Sequence, residues 1–234
     1  MENHQELEIK PIAIPGIHEK FMDYIIPLLN SYDNPEVLDI GAGHGAMVQK
    51  LYNAGYKIAA ADLFPEYFKF KKVNCKKVDI TKKFPYDDNS FDVIIAVEIM
   101  EHVHDHENFF RETYRILKEN GILVFSTPNI LSLKSRMRFL FSGFFYAFKP
   151  IDHTIDDGLQ HIASLTFDQY TSLALKSNYK QIDLAIDKKQ STSRYLYFLV
   201  PLLRLYCAMK KITYNIHNSK KLLLGRILFV KLTR

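Results

Sequence analysis

The sequence predicts an α/β protein built on a doubly wound, mostly parallel, seven-stranded sheet, with a lid after strand five and an insertion before the last strand. Three observations carry this. Short apolar runs alternate with helix-compatible stretches from residue 37 to residue 127, the pattern of strand–helix–strand units. Several of those runs stop at a glycine, a proline or an acid, as buried parallel strands do where they turn into helices. The chain has 234 residues, 47% of them hydrophobic and 24% charged, enough to bury a core without staples and too apolar for wholesale disorder.

The elements follow in order. Residues 17–31 read as an amphipathic N-terminal cap helix with Pro27 as a kink point. Pro35 precedes a strand at 37–41, a helix at 45–54 stops at Gly55, and the next strand, 57–62, ends on Asp62. Pro65 opens a short helix to about residue 72, followed by a strand at 75–80. Residues 91–97 are nearly all apolar and predict a central strand. Asp105 caps a helix to about residue 118, Gly121 lies past its end, and a fifth strand at 122–127 halts at Pro128. Thr166 and Gln169 have capping-box spacing for a helix to about residue 177, and strands at 181–187 and 226–232 complete the sheet. Residues 129–164 are then a long connection with the character of a lid over an acceptor, and 190–221 an insertion, within a single domain spanning 1–234.

Charge is uneven. The formal net charge is +5, yet residues 191–234 hold nine Lys and Arg and no Asp or Glu. Residues 129–149 are also acid-free and carry Lys134, Arg136, Arg138 and Lys149. Such asymmetry is compatible with an anionic membrane surface, a phosphorylated acceptor, nucleic acid, or simply a solvated basic surface. Nucleic acid is disfavoured, because the cations are interleaved with long aliphatic side chains and no RNA-binding module is present. The aromatic, basic run 131–150 can fold over a substrate or lie on an interface. The run 194–211 can dip into a membrane, pack a dimer or cover its own sheet, but Pro201 and Arg204 interrupt it as a bilayer span. Cys75 and Cys207 are too far apart in sequence to suggest a disulfide framework or metal-ligand pair. The N-terminus is polar and acidic, unlike a signal peptide. The expected setting is therefore cytoplasmic, with peripheral attachment to the inner face of a membrane as an option. Composition does not decide the oligomeric state.

The chemistry concentrates at Val37-Leu38-Asp39-Ile40-Gly41-Ala42-Gly43-His44-Gly45. Glycines at a strand-to-helix turn let the backbone fold tightly and approach a ligand. With Ala46 and the acid Asp62 the loop also fits a loose dinucleotide fingerprint, so the loop alone does not separate a nicotinamide from another adenosine cofactor. Asp39 helps to separate them. A carboxylate two residues before the first glycine is poorly placed beside a pyrophosphate and well placed beside a cationic amino-acid moiety.

Five ordered motifs extend this loop: Asp62; Asp79-Ile80; Phe84-Pro85-Tyr86-Asp87-Asp88-Asn89-Ser90-Phe91-Asp92; Glu101-His102-Val103; and Gly121-Ile122-Leu123 with Thr127-Pro128-Asn129. With them the sequence resembles the class I S-adenosylmethionine-dependent methyltransferases over roughly residues 20–130. The resemblance is closest to the group of ubiquinone-biosynthesis O-methyltransferases and small surface-glycan methyltransferases. It implies a Rossmann-like methyltransferase fold with the cofactor over the carboxyl ends of the strands. It further implies that Asp39 and the backbone of Gly41, Gly43 and Gly45 hold the methionine part, and that Asp62 accepts from the ribose hydroxyls. Asp79 would accept from the adenine amino group, Leu63 and Ile80 would pack on the ring, and Val97 and Glu98 would lie near the sulfonium.

Beyond the fourth strand, Glu98, Glu101 and His102 fall at i, i+3 and i+4 and share a face if a helical turn follows. Two carboxylates and an imidazole can hold Mg²⁺ or Mn²⁺ and lower the pKa of an acceptor hydroxyl. The pattern resembles metal-assisted O-methyltransferases and the small-RNA 3′-end methyltransferases, and also occurs in relatives without metal. Glu98 and His102 are expected on the acceptor side. His161, in the long connection, is a candidate general base or further ligand, with His153 a weaker alternative. His104 and His106 are expected to cap or solvate the next helix. The resulting expectation is O-methylation of a hydroxyl-bearing acceptor: a glycan, a glycolipid or a lipid-like small molecule. The rivals are a metal-dependent RNA 3′-end methyltransferase, a nicotinamide oxidoreductase and a non-catalytic cofactor-binding protein.

Overall fold

The computed structural model describes residues 8–155 and 158–234; residues 1–7 of the polar N-terminal segment, and Asp156 and Asp157 of the long connection, lie outside the described residues. Seven strands form one sheet: β1 (Glu36–Ile40), β2 (Lys57–Asp62), β3 (Cys75–Lys77), β4 (Phe91–Ala96), β5 (Leu117–Pro128), β6 (Gln181–Ile186) and β7 (Ile227–Thr233). Their spatial order is β3-β2-β1-β4-β5-β7-β6. The first five pair in parallel, and β7 runs antiparallel between β5 and β6. The order reverses at β1 and β4, so a crevice opens beyond their carboxyl ends, where ligands of such sheets bind.

Alternation along the central strands builds two cores. Val37, Val93, Ile95 and Val124 face one side and Leu38, Ile94, Leu123 and Phe125 the other, because successive side chains in a strand point to opposite faces. The first side is covered by α1 (Ile17–Leu29) and α2 (Ala46–Asn53). In α1, Ile17, Phe21, Ile25 and Leu29 are all buried at four-residue spacing, which is one stripe of a helix. The second side is covered by α3 (His106–Ile116) and α5 (Phe167–Lys176). The Asp105 side chain caps α3 by accepting from Asn108 N, and Thr166 and Gln169 close a capping box on α5.

Several boundaries differ from the sequence expectation. The helix expected over 65–72 is only a 3₁₀ turn, Pro65–Tyr67. β3 stops at Lys77, and Asp79 turns the chain by accepting from both the Thr81 amide and hydroxyl. α3 ends at Ile116 and β5 starts at once, because Leu117 pairs with Phe91 before a register shift.

The connection after β5 contains α4 (Leu133–Ser142), and the stretch between β6 and β7 folds into α6 (Ser191–Tyr195), α7 (Val200–Met209), α8 (Tyr214–Asn218) and α9 (Lys220–Leu224). These helices form an appendage with its own small core of Leu133, Val200, Leu223 and Leu224. Arg136 of α4 ties it together by donating to Asn218 Oδ1 and the His217 carbonyl. The appendage leaves the sheet where Pro128 pairs with Ile227, at the carboxyl end of β5. Its neck is locked. Asp187 accepts from Arg226 Nε at 2.6 Å and from the Ile227 amide at 2.9 Å, while Gln190 N donates to Leu224 O.

Candidate active site

The turn after β1 is built from backbone. Gly41 and Gly43 lie at φ 76° and 51°, a region L side chains rarely adopt. A Cβ at Gly41 would stand 2.0 Å from Ile99 Cδ1, so the glycine turn and the loop after β4 interlock. Gly41 N and Ala42 N donate to Ala61 O. Asp62 then organises the loop, its Oδ2 accepting from Gly43 N at 2.8 Å and its Oδ1 from Phe64 N at 2.9 Å.

One cavity of about 940 Å³ opens over the carboxyl ends of β1, β2, β3 and β4. Asp39, Gly41, Gly43, Asp62, Leu63, Asp79, Ile80 and Val97 all line it, and so do Glu98, Glu101, His102 and His161. Gly45 does not; it starts α2 at φ 93°, and a Cβ there would meet Phe68 at 2.7 Å. The structure gives Gly45 a packing role against Phe68 and does not bring it into the cavity with the other glycines. His153 is exposed and stands outside the cavity lining. His106 is a structural residue, its Nε2 donating to Met100 O at 2.8 Å, whereas His104 is exposed at the cavity.

The two ends of the cavity differ chemically. At one end Asp39 is 2% exposed, and burial, then the charge of Asp62, push its carboxyl well above the usual range. Such a group is relieved by a cation. Asp79 is held below its usual range by hydrogen bonds from Thr81 and by Lys82, so part of its accepting capacity is already in use. Residues 11–14 and His18, which sequence reasoning missed, close this end from the N-terminal side. The His18 ring is buried, its Nδ1 has no hydrogen-bond partner among the described residues, and burial lowers its pKa to about 4. The only trace of His18 in the sequence is a polar residue in the first turn of an apolar helix.

At the other end the expected helical turn is absent. Glu98 adopts φ 56°, and Met100–His102 form a 3₁₀ turn, so Glu98, Glu101 and His102 are not stacked on one helical face. The three-residue ligand set read from the sequence is corrected accordingly. Glu98 turns toward β5, its amide donating to Ser126 Oγ at 2.8 Å. Burial raises the Glu98 carboxyl to about 7, with Arg226 opposing. The potential metal ligands that do converge are Glu101, His102 and His161, whose ligating atoms lie within 4.8 Å of one another. Both Glu101 oxygens are buried and, Thr127 nearby apart, meet no hydrogen-bond partner among the described residues; burial raises that carboxyl well above its usual range. His102 Nδ1 donates to the Gln160 carbonyl at 2.9 Å, which puts the lone pair on Nε2. The His161 ring packs edge-on against His102 and Phe148. Burial, then His102, lower its pKa to about 4.

A glycine turn at a topological switch point, acids after three successive strands and a cavity of this size define a Rossmann-like enzyme for an adenosine cofactor. The buried Asp39 carboxyl fits a cofactor that brings a cationic amino-acid part to this point of the loop, as S-adenosylmethionine does, whereas the anionic pyrophosphate of a dinucleotide would be repelled there. Comparison with known proteins agrees. Residues 17–183 match the family described as a methyltransferase domain, and the chain belongs to that family, within the class I S-adenosylmethionine-dependent methyltransferases. The ubiquinone biosynthesis O-methyltransferase of Pelagibacter ubique is 33% identical over 131 residues, covering 51% of this chain and 53% of that protein. The demethylmenaquinone methyltransferase of Tropheryma whipplei is 33% identical over 102 residues, covering 40% and 43%. The chain thus spans about half the length of the curated relatives it matches. An S-adenosylmethionine-dependent methyltransferase of Archaeoglobus fulgidus shares the fold, with a TM-score of 0.61 at 16% identity over 93% of this chain and 94% of that one.

Proposed function

We propose that this chain transfers the methyl group of S-adenosylmethionine to a hydroxyl of a lipid-like, glycolipid or glycan acceptor. The observation that carries the reading is the continuity of one cavity from Asp39 and Asp62 to Glu98, Glu101, His102 and His161. Proton-accepting side chains therefore stand beside the place where a methyl donor would end. When bound, S-adenosylmethionine would supply an activated methyl group, its methyl carbon–sulfur bond breaking to leave S-adenosylhomocysteine as the acceptor oxygen attacks. Asp39 would neutralise the cationic amino-acid part, Asp62 would accept from the ribose hydroxyls, and Leu63, Val97 and Ile80 would pack the rest. Glu98 or His161 would take the proton that the acceptor oxygen loses as its bond to the methyl carbon forms. The apolar walls exclude water. The names of the quinone-pathway relatives favour the lipid-like end of this acceptor range.

A second reading adds a divalent ion, and the buried Glu101 carboxyl beside two imidazoles favours it. One carboxylate and two nitrogens suit Mn²⁺ or another first-row ion better than Mg²⁺. Such an ion would bind the acceptor hydroxyl and make it more acidic. An RNA 3′ end as acceptor would require this version.

The test is incubation of the pure protein with isotopically labelled S-adenosylmethionine and cell extract, followed by mass spectrometry. A labelled methyl ether in the lipid or glycan fraction is expected. Label in RNA 3′ ends would select the second acceptor class. Cofactor binding with no labelled product in any fraction would reduce the chain to a cofactor-binding protein. Calorimetry with Mn²⁺ on wild type and Glu101→Gln decides the metal version independently of turnover.

A further inference from the structure

We propose that the appendage docks the protein on an anionic lipid bilayer. Among the described residues, eleven of the twenty large hydrophobic side chains that are exposed lie on α4 and on residues 195–216, although these segments are a small part of the chain. The clearest case is α7. Val200 and Cys207 are buried against the body of the appendage. Leu202, Leu205, Tyr206 and Met209 recur at i, i+3, i+4 and i+7 and are 62%, 59%, 57% and 72% exposed. They make a second apolar stripe pointing away from the protein. The far end of α4 repeats the pattern, with Leu140 71% and Phe141 81% exposed. A stripe of this kind at the surface marks an interaction site.

Charge selects the occupant. Residues 191–234 carry no Asp or Glu, and among the described residues no carboxylate pairs with Arg194, Arg204, Lys210, Lys211 or Lys220. A second copy of this chain seated on the same stripe would bring those cations together with no acid of the segment to answer them, which works against a symmetric dimer. Anionic phospholipid headgroups answer them directly while the acyl layer takes the apolar side chains. Among the described residues no helix is long and apolar enough to cross a membrane, so the contact is peripheral. The appendage leaves the sheet at the carboxyl end of β5, the same end of the sheet as the cavity, so docking would turn that end toward the bilayer. The proposal does not depend on which acceptor is methylated.

The experiment is co-sedimentation of the full chain with vesicles of phosphatidylcholine alone and of phosphatidylcholine mixed with phosphatidylglycerol. Binding is expected to the mixed vesicles only, with release as salt is raised. Two variants should each lower partitioning by about tenfold or more. One carries Leu202→Ser, Leu205→Ser, Tyr206→Ser and Met209→Ser. The other carries Arg194→Gln, Lys210→Gln, Lys211→Gln and Lys220→Gln. Unchanged S-adenosylmethionine affinity in both will show that they are folded. Equal partitioning of wild type to the two vesicle types, or to neither, overturns the proposal. So does a concentration-dependent dimer on size exclusion that the serine variant abolishes, because a second copy is then the occupant.

Discussion

The sheet domain and the helical appendage solve opposite problems. In the sheet domain apolar side chains go inward and cations meet acids: Lys50 with Glu8 and Glu19, Lys118 with Asp92, Arg115 with Glu112 and Asp88. In the appendage a few small contacts are buried, while aromatic and aliphatic side chains face out among cations, such as Lys210, Lys211 and Lys220, that no carboxylate of the described residues pairs. The sheet domain satisfies its sequence by folding. The appendage satisfies only part of its sequence that way, and the remainder of its apolar side chains stays exposed.

The largest expected effect lies at the sheet. Phe229 is 2% exposed and packs edge-on against Phe21. Phe229→Ala should destabilise the protein by about 3–5 kcal/mol in a denaturant titration; a loss near zero would mean the two regions are packed alike. Next comes the neck. Asp187→Ala strips the partner from Arg226 and leaves the Ile227 amide unpaired, with an expected loss of about 3 kcal/mol by the same measurement. If unfolding then splits into two transitions, sheet and appendage are separate cooperative units.

The cavity tests the comparison from within. Asp62→Ala should weaken S-adenosylmethionine binding by about 1.5–3 kcal/mol in calorimetry, since it removes the brace on Gly43 and, on the function proposed, an acceptor for the ribose hydroxyls. An unchanged affinity would take Asp62 out of the cofactor site. Glu98 gives a pH-dependent effect of opposite sign. Its folded-state pKa of about 7 exceeds the ordinary 4.5, so the folded protein keeps this proton longer than the unfolded chain. Its contribution to stability is therefore present below about 4.5 and is lost as pH rises through 7. Glu98→Gln should accordingly raise stability by about 2 kcal/mol at pH 8 and leave it unchanged near pH 4. A pH-independent difference would contradict the buried carboxyl. The smallest effect belongs to the appendage: Phe198, 73% exposed, should cost less than about 0.5 kcal/mol on replacement by alanine.

The same contrast explains what could be seen in the sequence. Strands buried on both faces announce themselves: Phe91-Asp92-Val93-Ile94-Ile95-Ala96-Val97 can hardly be anything else, and the glycine turn and the acids following the strands come with it. Boundaries set by pairing are invisible beforehand; Leu117 becomes the start of β5 only because Phe91 lies opposite. The helices of the appendage were hidden because a helix apolar on two faces has no single stripe to detect. Past β4, a shared face for Glu98, Glu101 and His102 depends on a helical turn that the sequence alone does not fix. The left-handed backbone of Glu98 broke that register and exchanged Glu98 for His161 in the converging set. His161 lies 59 residues from His102 in sequence, and only the tertiary fold brings the two rings to a centroid distance of 4.8 Å.

β6 and β7 are neighbours in the sheet with the greater part of the appendage between them, so topologically they are one hairpin with a very long loop. Closing a loop grows more costly only logarithmically, roughly 0.6 kcal/mol for each doubling of its length. The clasp of Asp187 and Arg226 holds the two stems together regardless of what lies beyond it. The hairpin tip is therefore a natural graft point. It can be shortened to a turn, enlarged or exchanged without re-threading the sheet. A lineage with this scaffold could exchange its outward apolar and basic surface while keeping the seven-stranded sheet.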